Sequence, residues 1–327
     1  MTQQTPYGAA DGLVRVYPAD AAATRPTPGL VWAHGGGFAA GDLDMPEADW
    51  VSRSLAARGV TVVSVDYRLV GDGCRYPAPS DDVLAAWRWT VAHAEELGVD
   101  AVRLAIGGAS AGANLATGAV LRLLGHPAGP TDTAGGAPAA DAIVEVAPDT
   151  RAPSAAPIAA PLPAGAFLAY PTLLAVQPAP DAALRALLDA DPDADRFGPE
   201  RVRPMYEEYL GRPVDDPPLP AVPGLAAASD LAGFPPVLMI NGEADELRVS
   251  GEAFAATLAQ ADVPLELVIE PGTEHGHLNR PDEPAASASI ERVLRWIAGL
   301  DTGAARPARP PESLHQTTLR ITEGIPS

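Results

Sequence analysis

The chain contains no lysine: all 22 basic residues among its 327 are arginine, set against 42 acidic ones for a formal net charge of −20. A chain this poor in positive charge is badly suited to phosphates, which excludes nucleic acid and an anionic membrane surface as expected partners. We ascribe the missing lysine, beside abundant Ala, Pro and Arg, to GC-rich coding, although an acidic Lys-free surface also favours solubility at high salt. Cysteine is almost absent too. Cys74 stands alone, so neither an intrachain disulfide nor a cysteine-based metal site can form. No apolar run is uninterrupted over the roughly 20 residues of a spanning helix. The N-terminus, MTQQTPYGAADGLVRVY, lacks the basic start and apolar core of a secretory signal. The expectation is a soluble cytoplasmic protein without membrane insertion, and no internal repeat is visible.

What is present is ample core material, 47% of the chain being hydrophobic, in enough length for one large α/β domain. Short β-rich runs at residues 13–17, 30–33, 60–65, 103–106, 166–169, 237–241 and 265–270 alternate with helical patterns at 46–58, 80–97, 111–124, 250–260 and 284–300. That rhythm predicts a mostly parallel sheet with helices on both faces. The last helix sets Ile290, Val293, Leu294 and Ile297 on one side. Two stretches break the rhythm. In residues 126–164, 24 of 39 residues are Ala, Pro or Gly, which predicts an irregular insertion in which only 143–146 could pair as a strand. Residues 176–232 carry short helical patterns at 182–188 and 201–210 between prolines, as a reduced helical cap over the sheet would. Residues 1–300 read as a single domain, and the Pro-rich then polar tail 301–327 as weakly ordered.

The chemistry-bearing motifs fall at strand ends. Gly108-Ala-Ser-Ala-Gly112, within IGGASAGANL, matches G-x-S-x-G, where a serine sits on a strained strand-to-helix turn and small neighbours let helix and strand touch. In a chain this rich in Gly and Ala the same letters also read as a tight turn with an incidental serine. His34-Gly-Gly-Gly-Phe38 follows the strand LVWA and leaves backbone N–H groups free for a ligand oxygen. Ester hydrolysis needs such donors for the charge on its carbonyl oxygen, each worth roughly 2.7–4 kcal/mol of barrier. We assign them to Gly36, Gly37 and Ala111. A phosphate loop would require a following Lys and Ser/Thr, which are missing, and His34 reads as a structural hydrogen-bonder.

A serine needs a base, and the base a carboxylate. Asp245 ends VLMINGEAD and His275 ends LELVIEPGTEH, in the order Ser, acid, His. Glu243 and Glu246 compete for the acid's role and His277 for that of the base. His275-Gly-His277 can also be read as a metal pair, though the further ligands such a site requires are not evident among six scattered histidines.

With these residues in hand the chain resembles the hormone-sensitive-lipase-like family of α/β-hydrolases, the bacterial carboxylesterases and acetyl-hydrolases. The resemblance runs over about residues 13–297. It rests on HGGGFAAGDLD at 34–44, VDYRL at 65–69, YPAPSDDV at 76–83, GGASAGANLA at 107–116, FPPVLMINGEADELR at 234–248 and PGTEHGHL at 271–278. By position it implies Ser110 as nucleophile, Asp245 as acid, His275 as base, and oxyanion-hole glycines within residues 35–37. Asp66-Tyr67-Arg68 matches a block taken as structural. The elbow departs from the family's common GDSAGG: Ala109 and Ala113 replace the Asp and the last Gly, so no carboxylate stands beside the nucleophile. Only 33 residues precede His34, fewer than such proteins usually carry, which predicts a more open acyl pocket or cover from elsewhere.

The resulting expectation is a serine hydrolase cleaving small-molecule esters of small or medium acyl groups through an acyl-enzyme, with neither metal nor cofactor. A homodimer is compatible with it. The alternatives are a non-catalytic small-molecule-binding protein on the same fold, or the same triad acting on lactones, acetylated sugars or amides.

Overall fold

A computed structural model describes residues 4–129 and 160–300, and the backbone of 320–321. Strands β1 (Tyr7–Ala9), β2 (Val14–Tyr17), β3 (Thr27–Ala33), β4 (Thr61–Val65), β5 (Val99–Ala109), β6 (Ala166–Ala169), β7 (Val237–Ala244), β8 (Leu265–Glu274) and β9 (Arg320–Ile321) form one sheet in the order β1-β2-β4-β3-β5-β6-β7-β8-β9. The pairs β1/β2 and β2/β4 are antiparallel. From β4 onward every pairing is parallel.

Alternation along the central strands decides which helices cover which face, since successive side chains point to opposite sides. Leu30 and Trp32 of β3, Val62 of β4 and Leu238 and Ile240 of β7 pack with Val51 and Leu55 of α1 (Pro46–Ala56) and Ile290, Val293 and Ile297 of α8 (Pro284–Ala298). Val31, Ala33, Val63, Val65 and Met239 face the other way. They pack with Trp87 of α2 (Ala78–Ala92), Leu115 and Val120 of α4 (Ala111–Leu123) and Phe254 and Leu258 of α7 (Arg248–Gln260). The mostly parallel sheet with helices on both faces, expected from the alternating pattern, is the one found. Leu294, expected on the buried stripe of α8, is only partly buried at its edge.

Differences from the sequence reading have local causes. The helix expected over 80–97 breaks at His93 into α2 and the short α3 (Ala94–Leu97), the His93 ring donating to Trp89 O at 2.8 Å. Strands β5, β7 and β8 outrun their apolar cores because polar and Gly residues at their ends still pair, with an irregularity between Gly242 and Ala244. No strand was expected at Tyr7–Ala9, whose sequence YGA has no alternation, or at Arg320–Ile321 in the tail, where Arg320 and Ile321 pair with Glu266 and Leu267. The possible strand at 143–146 lies outside the described residues.

Between β6 and β7 lie α5 (Ala182–Ala190) and α6 (Pro199–Leu210). Asp181 caps α5 by accepting the Leu184 N–H at 2.8 Å, and α6 closes on Gly211 in the left-handed region at φ 70°. Tyr206 of α6 donates to Thr172 O and accepts from Asn114 Nδ2, both at 2.9 Å, and Tyr209 stacks on Phe38 with ring centres 4.0 Å apart. Among the described residues no helix is long and apolar enough to cross a membrane.

Candidate active site

The carboxyl ends of β3, β5, β7 and β8 converge on one place. At the end of β5, Ser110 caps α4 with φ 51° and ψ −115°, a strained conformation of the kind that costs on the order of 1–3 kcal/mol. What holds it is the burial of α4, every residue from Ala111 to Leu121 being out of solvent. The flanking glycines are required sterically. A Cβ on Gly108 would lie 2.3 Å from the Gly112 carbonyl carbon, and one on Gly112 would lie 2.2 Å from Ala33 O. Strand, helix and β3 therefore touch backbone to backbone, with Ser110 left at 8% exposure on the resulting ridge.

The glycine loop after β3 curls at Gly36 (φ 116°), Gly37 (φ 60°) and Phe38 (φ 68°). Gly36 O accepts from the Ala39 and Ala40 N–H groups, and a Cβ on Gly36 would strike Ala40 O. Among the described residues the N–H groups of Gly36 and Gly37 find no protein acceptor, and neither does that of Ala111, an orphan donor in the first turn of α4. His34 is fully buried, donates from Nδ1 to Gly35 O at 2.7 Å and stacks on Tyr67, whose hydroxyl donates to His34 O at 2.9 Å. It supports the loop from behind.

The structure brings Ser110, His275 and Asp245 into one hydrogen-bonded chain. Ser110 Oγ and His275 Nε2 are 3.0 Å apart, and His275 Nδ1 and Asp245 Oδ2 are 2.9 Å apart. A carboxylate only accepts, so Nδ1 carries the proton and Nε2 is left to accept from the serine hydroxyl. Asp245 is fully buried, and its Oδ1 accepts the Leu247 N–H at 2.9 Å. The rival acids point elsewhere: Glu243 accepts the Gly272 N–H and Glu246 the Phe197 N–H, each at 2.8 Å. Burial pushes the Glu246 carboxyl above its ordinary range. His277, the rival base, turns into the core instead, where its Nε2 meets Ser289 Oγ at 2.9 Å and Ser289 donates to Glu270 Oε2 at 3.2 Å. Burial pushes the His277 imidazole down to about 4. Among the described residues no group of three or more His, Cys, Asp or Glu is arranged to hold a metal ion.

Several neighbours of this chain were not singled out from sequence. Tyr170, at the end of β6, and Phe197, just before α6, set ring edges against His275 at 5.0 and 4.6 Å between centres. Met205 of α6 lies over the glycine loop, its sulfur 3.2 Å from where a Gly37 Cβ would stand. Glu47, in the first turn of α1, is a buried carboxylate behind the loop, accepting from Gly35 N–H, Tyr170 Oη and Asn279 Nδ2. Burial and the nearby Glu47 raise the Tyr170 phenol well above its usual value, so it stays a donor. A polar residue closing an apolar strand, as in FLAYP, was the one available signal for Tyr170. Glu47 and Met205 gave none.

An open, mostly parallel sheet with a serine, a histidine and a carboxylate joined at its carboxyl edge defines an α/β-hydrolase. Comparison with known proteins agrees. The family described as alpha/beta hydrolase fold matches residues 30–279. The ethyl acetate hydrolase of Pseudomonas putida is 32% identical over 256 residues, and the carboxylesterase NlhH of Mycobacterium tuberculosis is 33% identical over 272. These matches cover 75% and 82% of this chain. They span 64% and 72% of those relatives' lengths. The crystal structure of esterase LipW from Mycobacterium marinum superposes with a TM-score of 0.66 at 29% identity, over 90% of this chain and 80% of that one. The chain belongs to the hormone-sensitive-lipase-like family of α/β-hydrolases.

Proposed function

We propose that the protein is a serine carboxylesterase acting on esters of small or medium acyl groups through an acyl-enzyme. The observation that carries this reading is the unbroken hydrogen-bond path from Ser110 Oγ through His275 to buried Asp245, beside unspent N–H donors on Gly36, Gly37 and Ala111. Ser110 Oγ attacks the ester carbonyl while His275 Nε2 takes its proton. Asp245 keeps the imidazole in the tautomer that can accept and stabilises the imidazolium that forms. Negative charge gathers on the former carbonyl oxygen, where preset N–H donors stabilise the transition state by roughly 2.7–4 kcal/mol each. Collapse breaks the bond to the alcohol, which leaves with the proton from His275. Water then attacks the acyl-enzyme by the same route, and the acid departs.

Met205 over the loop and Phe197 against His275 support the preference for small or medium acyl groups, because they let the segment 176–232 act as a cap close to the reacting atoms. The relative named ethyl acetate hydrolase points the same way. A non-catalytic receptor would have no use for a histidine poised between serine and carboxylate. Lactones, acetylated sugars and amides call for the same triad and differ only in the pocket.

Ser110→Ala is expected to abolish turnover of p-nitrophenyl acetate and butyrate down to the roughly 10³–10⁴-fold acceleration over water that such sites retain without their nucleophile. A fluorophosphonate probe should label Ser110 alone. Undiminished hydrolysis by the alanine variant, or a label elsewhere, would refute the proposal.

A further inference from the structure

The elbow lacks a carboxylate at Ala109, yet a carboxylate lies beneath it. Glu47 is 2% exposed and receives three donors. The Gly35 N–H reaches Oε1 at 2.5 Å, while Tyr170 Oη at 2.7 Å and Asn279 Nδ2 at 2.9 Å both reach Oε2. Its own backbone is pinned on both sides, the N–H donating to Asn279 Oδ1 at 3.2 Å and the carbonyl accepting from Trp32 Nε1 at 2.8 Å. Each donor belongs to a different part of the site. Gly35 begins the glycine loop, Tyr170 ends β6 and touches His275, and Asn279 lies four residues beyond His275.

Space at the centre is fully used. A Cβ on Gly35 would meet Glu47 Oε1 at 2.5 Å, Ser110 Cβ at 3.2 Å and Ala109 O at 3.3 Å, so Gly35 is wedged between this carboxylate and the elbow. Ala109 faces the same side of the sheet as Tyr170 and Leu278, the layer in which α1 packs. Three converging donors suit an acceptor-only carboxylate, and a carboxamide cannot satisfy them all.

We propose that Glu47 is a positioning residue for ester hydrolysis, fixing the glycine loop and the loop after His275 relative to Ser110. Gly35 separates Glu47 Oε1 from Ala109, the position at which the common GDSAGG elbow carries an aspartate. This role rests on the esterase reading above. Glu47 touches no reacting atom. Its effect passes through the placement of the Gly36 and Gly37 N–H groups, and small misplacement of such donors costs up to about 100-fold in rate.

The test is Glu47→Gln, which keeps the shape but turns an NH₂ toward one of the three donors. With p-nitrophenyl acetate, kcat and kcat/KM should fall together by about 10- to 100-fold with KM within about twofold, the mark of a loss confined to the transition state. Adding Ala109→Asp should regain part of the lost kcat, at least about threefold. A folded Glu47→Gln protein with kcat within twofold of the parent, or with KM raised at constant kcat, overturns the proposal. No gain from Ala109→Asp overturns the exchange of roles. Should Glu47→Gln fail to fold by circular dichroism, Tyr170→Phe and Asn279→Ala each remove one donor and should lower kcat about 3- to 10-fold; unchanged kcat in both overturns it. Ser110→Ala run alongside separates the two claims, since turnover surviving there refutes the esterase reading whatever Glu47 does.

Discussion

Replacing Asp245 by Asn tests the electrostatic logic of the site at its most buried point. The two carboxylate oxygens have distinct partners: Oδ1 accepts the Leu247 N–H and Oδ2 accepts the His275 Nδ1 proton, each at 2.9 Å. No solvent reaches either. An asparagine can keep its oxygen on Leu247 only by turning its NH₂ toward His275, which forces Nδ1 to accept and moves the ring proton to Nε2, facing Ser110. The opposite orientation sets two donors against each other in the interior, a cost of about 1–3 kcal/mol, so the unreactive tautomer dominates by roughly 5- to 150-fold. The variant also loses the negative charge that stabilises the imidazolium. The same change in another serine triad lowers kcat about 10⁴-fold, equivalent to about 5 kcal/mol of barrier. We expect a fall of about 10³- to 10⁴-fold here. The assay is steady-state hydrolysis of p-nitrophenyl acetate at neutral pH, with a thermal melt to verify folding and KM expected to change little. A folded variant losing less than about tenfold would mean that Asp245 does not orient the base, and would reopen the claim of Glu246.

Two further outcomes follow from groups around the triad. His277 is held neutral, its imidazole pushed down to about 4 chiefly by burial, against the attraction of Asp245 and with help from His275 and Arg280. The unfolded chain takes up a proton near pH 6.5 that the folded one refuses, so this residue lowers stability by roughly 3 kcal/mol as pH drops from about 6.5 to about 4. His277→Gln, which can still donate to Ser289, should flatten that part of the profile in urea melts at pH 7 and 4.5; an unchanged difference between the two pH values would clear His277. Phe197→Ala removes the ring edge packed on His275, a contact worth about 0.5–1.5 kcal/mol, and should lower kcat about 2- to 12-fold. An unaltered kcat would assign Phe197 to substrate binding or to nothing.

The sheet and its covering helices could be read in advance because their signals are local. In β3 the alternation of Leu30 and Trp32 against Val31 and Ala33 assigns two faces, and the buried stripe of α8 recurs at helical spacing. Ser110, Asp245 and His275 were legible for a related reason. Each closes an apolar strand, and parallel strands deliver their carboxyl ends to one edge. Glu243 and Glu246, left as rivals by the sequence, turn away on either side of Asp245. His277 is two residues from His275 yet faces the core, because the chain turns at Gly276 with φ 78°. Nothing in the letters EHGHL distinguishes that turn from a pair of ligands.

Glu47 marks where such reading ends. Its partners lie 12, 123 and 232 positions away in the chain, and no periodicity links residues that meet only after the sheet has closed. From sequence, Ala109 is a defect in the elbow and Glu47 is one of many acidic residues at a helix start. In three dimensions Gly35 is wedged between Glu47 Oε1 and Ala109 O, and Ala109 packs in the same layer as Tyr170, which donates to that carboxylate. A second carboxyl there would bear a desolvation cost of several kcal/mol if ionised, and burial beside Glu47 would instead favour its protonated form. Ala109→Asp alone, with Glu47 intact, is therefore expected to destabilise the fold, read as a lowered midpoint in a thermal melt, even though the same substitution regains part of the lost kcat once Glu47 is neutralised.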